Sequence, residues 1–137
     1  MNLNNFTNKA QEAVVGAQAI AAEYQSSEIE PAHLLLSLMR QADGVVPQVI
    51  AKIGARPQAL TTELETLLRN RAKVSGANVQ ISLQRATTDA LSRAEKEAKQ
   101  MHDDYVSTEH ILLALTGDRA LSELLNRHSV DHASSTR

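Results

Sequence analysis

The segment Ser107-Thr-Glu-His-Ile-Leu-Leu-Ala-Leu115 repeats a pattern already present as Glu30-Pro-Ala-His-Leu-Leu-Leu-Ser-Leu38, and an internal repeat constrains a fold more tightly than composition does. Displacing the chain by 77 residues lays residues 6–38 over 83–115 without a gap. Ala13, Ala17 and Ala21 then fall on Ala90, Ala94 and Ala98, His33 on His110, and Leu35, Leu36 and Leu38 on Leu112, Leu113 and Leu115. Further on, a displacement of 75 carries Val46, Val49, Ile50 and Lys52 onto Leu121, Leu124, Leu125 and Arg127. The chain is one helical unit written twice. Two copies are too few for an open solenoid, in which each repeat leans on neighbours at both sides, so the halves are expected to close on a shared core about a pseudo-twofold axis. The expected fold is all-α, a single compact domain of two repeats with about four helices each. Repeat one covers 1–72, a connector 73–80, and repeat two 81–137 with a short or missing last helix.

Aromatic residues make up only 2% of the 137 residues, so the one core that a chain of this size can bury must rest on Leu, Ile, Val and Ala, which suits helices. A net charge of -2 without any Lys/Arg run argues against nucleic acid as a partner, because phosphate binding needs a clustered basic face. There is no cysteine, so neither disulfides nor thiolate chemistry contribute, as fits a reducing compartment. No apolar run approaches a membrane span, and the opening Met1-Asn-Leu-Asn-Asn5 has neither the basic start nor the apolar stretch of a signal peptide. A soluble, cytoplasmic domain with no membrane partner is expected.

Thr7 is a good N-cap for a first helix whose apolar residues Ala10, Ala13, Val14, Ala17, Ile20, Ala21 and Tyr24 share one face. Its alanine stripe has no bulk and lets another helix come close. Ile29 reads as extended, and Pro31 opens a second helix that runs to about Arg40, where Asp43-Gly44 breaks the pattern. Residues 45–53 form a third helix ended by Gly54 at the usual left-handed position, and Pro57 opens a fourth over 58–70. Residues 71–80 have no helical period. In the second copy Ser82 is expected to cap a helix over 83–101, on which Arg93 with Glu97 and Glu95 with Lys99 stand four apart as surface ion pairs. Ser107 caps the sixth helix, Gly117 closes it, and 119–128 form the seventh.

Catalytic signatures are missing. The five glycines are scattered singly, which removes the glycine-rich phosphate cradle followed by Lys and Ser/Thr. His102, Asp103, Asp104, Glu109 and His110 are the densest set of metal-ligand types, yet their spacing matches no established zinc pattern. They read instead as loop and first-turn acids near a helix amino end. No serine has an elbow motif or a recognisable base partner. Catalytic residues, metal ligands and cofactors are all expected to be none in this domain.

The opening Phe6-Thr-Asn-Lys9 with Gln11-Glu-Ala13, the pair Ile29-Glu-Pro-Ala-His-Leu-Leu35 and Tyr105-Val-Ser-Thr-Glu-His-Ile-Leu-Leu113, and the 77-residue echo resemble the N-terminal domain of Clp ATPases. The resemblance is to the ClpB type, the protein disaggregases. It implies eight helices in two pseudo-twofold halves, placed before ATPase modules that bind ATP and assemble a hexamer. The domain itself would be monomeric and non-catalytic. It implies as partners unfolded or aggregated polypeptides, passed on to the motor's pore. The alternative is an N-domain of a proteolytic Clp ATPase of the ClpC or ClpA kind, docking a folded adaptor protein. The family's polar patch corresponds to Thr7, Asp103 and Glu109, which helix capping alone also accounts for. The family's apolar groove implies Leu91, Ala94, Tyr105, His110 and Leu113 as lining. Relatives can carry leucine where this chain has Arg93, Glu97 and His110. Leu113 reads as core and Tyr105, at a loop tip, as the better contact.

Overall fold

The computed structural model describes residues 2–75 and 80–136. Residues 76–79 of the expected connector lie outside the described residues. The helices are α1 (Asn8–Glu23), α2 (Pro31–Arg40), α3 (Val45–Ile53), α4 (Pro57–Arg69), α5 (Arg85–Gln100), α6 (Thr108–Thr116), α7 (Arg119–Arg127) and the single turn α8 (His132–Ser135). Two short strands, β1 (Glu28–Ile29) and β2 (Ser82–Leu83), complete the described elements. The fold is all-α in two repeats that share one core.

Local chemistry sets the helix ends. Thr7 Oγ1 accepts the Ala10 N–H at 3.1 Å and starts α1. Pro31 occupies the first turn of α2, and Gly54, with φ 104°, takes the left-handed position that stops α3. After α1 and α5 the chain turns through Gln25 (φ 55°) and His102 (φ 60°), equivalent positions in the two repeats. Each turn is closed by the same long bond, Ser26 N–H to Ala21 C=O and Asp103 N–H to Ala98 C=O, both 2.9 Å. These are Schellman closures made without glycine.

The alanine stripes do what their lack of bulk permits. Ala13, Ala17 and Ala21 on α1, and Ala90, Ala94 and Ala98 on α5, are all buried, and α1 packs along α2 as α5 packs along α6. Leu34, Leu35, Leu36 and Leu38 of α2 join Ile111, Leu112 and Leu115 of α6, with Val46, Ile50, Leu60, Leu64, Leu68, Leu121, Leu124 and Leu125, in one continuous core.

The halves are interlocked rather than merely apposed. β1 of the first repeat pairs in parallel with β2 of the second, with Ile29 opposite Leu83. Phe6 of the first repeat pairs in parallel with Val106 of the second. The two pairings are related by the repeat, down to the bonds from Thr7 N–H to Val106 C=O (2.9 Å) and from Gln84 N–H to Ile29 C=O (3.1 Å). Each repeat therefore supplies the backbone partner for the other's loop before its second helix.

This exchange corrects the expected start of the second copy. Ser82 does not cap α5. Its N–H is spent on Ser27 C=O at 3.2 Å, the backbone stays extended through Gln84, and Gln84 becomes the N-cap. Neither of the two ion pairs expected on α5 forms among the described residues. Arg93 donates to the Ala114 C=O near the end of α6 (3.3 and 3.1 Å), a carbonyl that also accepts the Gly117 N–H of the helix cap at 3.1 Å, and Glu97 bonds the His132 ring instead. No ion pair joins Glu95 to Lys99 among the described residues.

Candidate functional site

The exchanged pairing brings helix amino ends together. Because Thr7 N–H bonds to Val106 C=O, the start of α1 is fixed beside the start of α6, and the start of α3 closes the third side. A hollow of about 370 Å³ opens between them, with Thr7, Lys9, Gln41, Val45, Ser107 and Glu109 in its wall. Three helix amino ends carry N–H groups without intrahelical partners and a partial positive charge. Glu109, in the first turn of α6, accepts from Thr108 Oγ1 at 3.2 Å and supplies a carboxylate to the same space. Gln41 donates from Nε2 to Lys9 C=O at 3.0 Å, while its Oε1 is buried without a hydrogen-bond partner among the described residues. Donors and acceptors of this kind match a polypeptide backbone or its polar side chains. Among the described residues no three His, Cys, Asp or Glu are grouped to hold a metal ion.

Asp103 joins this junction through a histidine. His110 is 4% exposed. Its Nδ1 accepts the Ser107 N–H at 2.9 Å, so the ring proton sits on Nε2 and is donated to Asp103 Oδ2 at 2.8 Å. The first repeat builds the same arrangement, with the Glu30 N–H donated to His33 Nδ1 at 2.8 Å and His33 Nε2 against Ser26 Oγ at 3.1 Å. His33 and His110 thus do not converge; each closes its own loop, in the place where a capping box carries Glu or Gln. Burial, aided by the nearby Arg71 guanidinium, pushes His33 down to about 4. It is neutral at pH 7, as its acceptor role requires.

The structure places the expected residues unequally. Thr7 and Glu109 share the hollow, and Asp103 is tied to the residue next to Glu109. Tyr105 is 60% exposed on the adjoining loop. Leu91, Ala94, His110 and Leu113 are each exposed by 4% or less, so their side chains present almost no surface to a groove. The hollow also uses Val45, 41% exposed, and Gln41, neither of which the sequence reading singled out. The break at Asp43-Gly44 was a signal that a helix starts there, but not that it starts against α6.

A related hollow of about 320 Å³ lies at the equivalent place in the other half, walled by Glu30, Gln84, Asp118 and Leu121. There Leu67 and Arg71, from α4 and its end, also enter the wall, and Arg71 pairs with Glu30 at 3.1 Å. No residue of α8 lines the hollow at Thr7 and Glu109.

The sequence matches the Clp repeat (R) N-terminal domain over residues 5–128. The chain belongs to the Clp N-terminal domain family. It is 34% identical over 134 residues to the chaperone protein ClpB of Bacillus anthracis, covering 95% of this chain and 16% of that protein. The Clp N-domain described here therefore spans about a sixth of the length of that relative. Its fold superimposes on the Hsp104 N-terminal domain from Candida albicans with a TM-score of 0.85 at 19% identity, covering 96% of this chain and 87% of that one. The N-terminal domain of ClpV1 from E. coli matches with a TM-score of 0.81 at 21% identity, over 98% and 83% of the two chains. These likenesses establish the doubled helical fold of the Clp N-domain, and by sequence the domain groups with ClpB proteins. No described helix is long and apolar enough to cross a membrane.

Proposed function

We propose that this Clp N-domain is the non-catalytic polypeptide-capturing module of a ClpB-like disaggregase, which engages unfolded or aggregated chains and passes them to an ATPase motor. The observation that carries the reading is the junction at which Thr7, Asp103 and Glu109 are held together beside the exposed Tyr105. Its donors, its carboxylate and one aromatic side chain suit weak contact with an extended segment. Several copies in a hexamer would raise that weak affinity by multivalency. The domain needs no cofactor for this; ATP would be bound by the motor modules, which also assemble the hexamer, and the isolated domain would be a monomer in the cytoplasm. The test is an amide NMR titration of the isolated domain with a permanently unfolded model protein. Shifts clustered at Thr7, Tyr105 and Glu109, and weakened in Thr7→Ala and Glu109→Ala, are expected. Shifts confined to another face, or none, would overturn the reading.

A second reading, docking of a folded adaptor by a ClpC- or ClpA-like N-domain, is favoured by the segment Ser107-Thr-Glu-His-Ile-Leu-Leu113 at the same junction. It predicts that the unfolded protein leaves the spectrum unchanged.

A further inference from the structure

We propose that Asp103 is a positioning residue: through the buried His110 ring it holds the loop 103–107 so that Tyr105 stands out toward an incoming polypeptide segment, and it does not itself touch that segment. The inference rests on the capture reading above and concerns how the site is held.

The loop is fastened at three points. At its start, His102 is in the left-handed region and Asp103 N–H is bonded to Ala98 C=O at 2.9 Å. At its end, Val106 N–H donates to Asn5 C=O and Thr7 N–H to Val106 C=O, each at 2.9 Å. The His110 ring is a third tie, and it spans the loop from Asp103 to Ser107. It is inside the protein, and both of its nitrogens are engaged with the loop, Nδ1 with Ser107 N–H and Nε2 with Asp103. Asp103 uses one carboxylate oxygen on this ring while its side chain stays 48% exposed.

The first repeat shows what the tie requires. There Ser26, a neutral hydroxyl, meets His33 Nε2 in the same pose. An acceptor satisfies the ring; a charge is not needed. The two loops differ in what they display. Tyr105 corresponds to Glu28, which is half-buried and accepts from Gln84 Nε2 at 3.5 Å. Tyr105 is 60% exposed. The same closed loop thus serves pairing alone in one repeat, and in the other also presents an aromatic side chain. Holding an anchor in place before binding removes the cost of ordering it on binding.

The test is a mutant cycle on the intact domain, titrated with a permanently unfolded model protein, with ¹⁵N relaxation of residues 103–107 and the ring ¹⁵N shifts of His110 as independent readouts. Asp103→Asn keeps an acceptor oxygen and is expected to bind like the parent protein, with His110 still in the Nε2–H form. Asp103→Ala is expected to loosen the loop and to weaken binding about two- to tenfold, the cost of ordering one segment. The Asp103 side chain is about half exposed and lies outside the core, so both variants should fold. In a His110→Leu background Asp103→Ala should cost nothing further. If Asn is as damaging as Ala, or the loss from Ala is undiminished in His110→Leu, Asp103 contacts the polypeptide directly and the proposal fails. If Asp103→Ala leaves relaxation unchanged while the parent binds, the tie is not what orders the loop, and the proposal again fails with the capture reading intact. No binding by the parent protein would overturn the capture reading and this role together.

Discussion

Gly16 of α1 and Ser37 of α2 meet where the two helices cross, so closely that a Cβ on Gly16 would lie 2.5 Å from Ser37 Oγ. The hydroxyl is already engaged, donating to Ala13 C=O at 2.7 Å. The second repeat solves the same crossing differently. Arg93 stands where Gly16 does and Ala114 where Ser37 does, and the guanidinium takes the Ala114 carbonyl from outside the contact. Where the first repeat sets glycine against a short polar residue, the second sets a long cationic side chain against alanine.

Gly16→Ala therefore sets two effects against each other. Alanine is favoured over glycine in a helix interior by about 1 kcal/mol. Against this, the new methyl displaces a buried hydroxyl from its bond, and overpacking of this kind costs about 1–3 kcal/mol. The clash should win, so the variant is expected to unfold at lower denaturant than the parent. Adding Ser37→Ala removes the obstructing oxygen and should recover most of the loss. Equilibrium urea melts of the two single variants and the double variant check this, and additivity would show that the residues do not meet.

His33 makes stability depend on pH. Its folded value of about 4 lies below its ordinary value of 6.5. Between these values the unfolded chain binds more protons than the folded one, so stability is full above pH 6.5 and is lost as pH falls toward 4. The loss should reach on the order of 3 kcal/mol by pH 4. Protonation also sets Nδ1–H against the Glu30 N–H. Glu63 acts in the same direction, because the His128 and Arg127 side chains hold its carboxyl below the ordinary range. Urea melts from pH 7.5 down to 4, with the His33 ring followed by NMR, should show the slope and a ring still neutral at pH 5.5. A ring that titrates near 6.5 without loss of stability would contradict it.

The repeat was legible because small and leucine positions recur at one displacement, and burial on a shared core demands that recurrence. Thr7, Ser107, Pro31 and Gly54 were legible because caps act within one turn of chain. The exchange of strand partners was not, since Ser82 has the chemistry of a helix cap and only the far side of the fold, through Ser27, claims its amide. Arg93 and Glu97 have ideal spacing for an ion pair, but each is engaged by a partner on another element. In the site, Thr7 and Glu109 could be read as a cap and a first-turn acid. That Asp103 reaches them through His110 could not, because histidine at the third position is absent from the capping-box pattern and its second nitrogen is free to choose among loop residues.

Ala17 is 1% exposed in the α1 stripe. Replacing it with Leu adds volume with nowhere to go and should cost about 1–3 kcal/mol. Its counterpart Ala94, fully buried in α5, should respond alike if the two helix pairs pack equivalently. A denaturant melt that leaves either variant as stable as the parent would show that its stripe yields more readily than the burial implies.

Tyr105→Ala and Leu113→Ala separate surface from core within the residues associated with a groove. Leu113 is 3% exposed, so truncating it should cost about 2–5 kcal/mol of stability by loss of burial and creation of a cavity. Tyr105, at 60% exposure, should change stability by no more than about 0.5 kcal/mol. The order reverses for capture. At a temperature where both variants are fully folded, Tyr105→Ala should abolish or strongly weaken the shifts produced by an unfolded protein, while Leu113→Ala should leave them in place. If instead Leu113→Ala alone suppresses them, the contact surface includes side chains that are covered in the free domain, and binding must open α6 away from α5 before a polypeptide can enter.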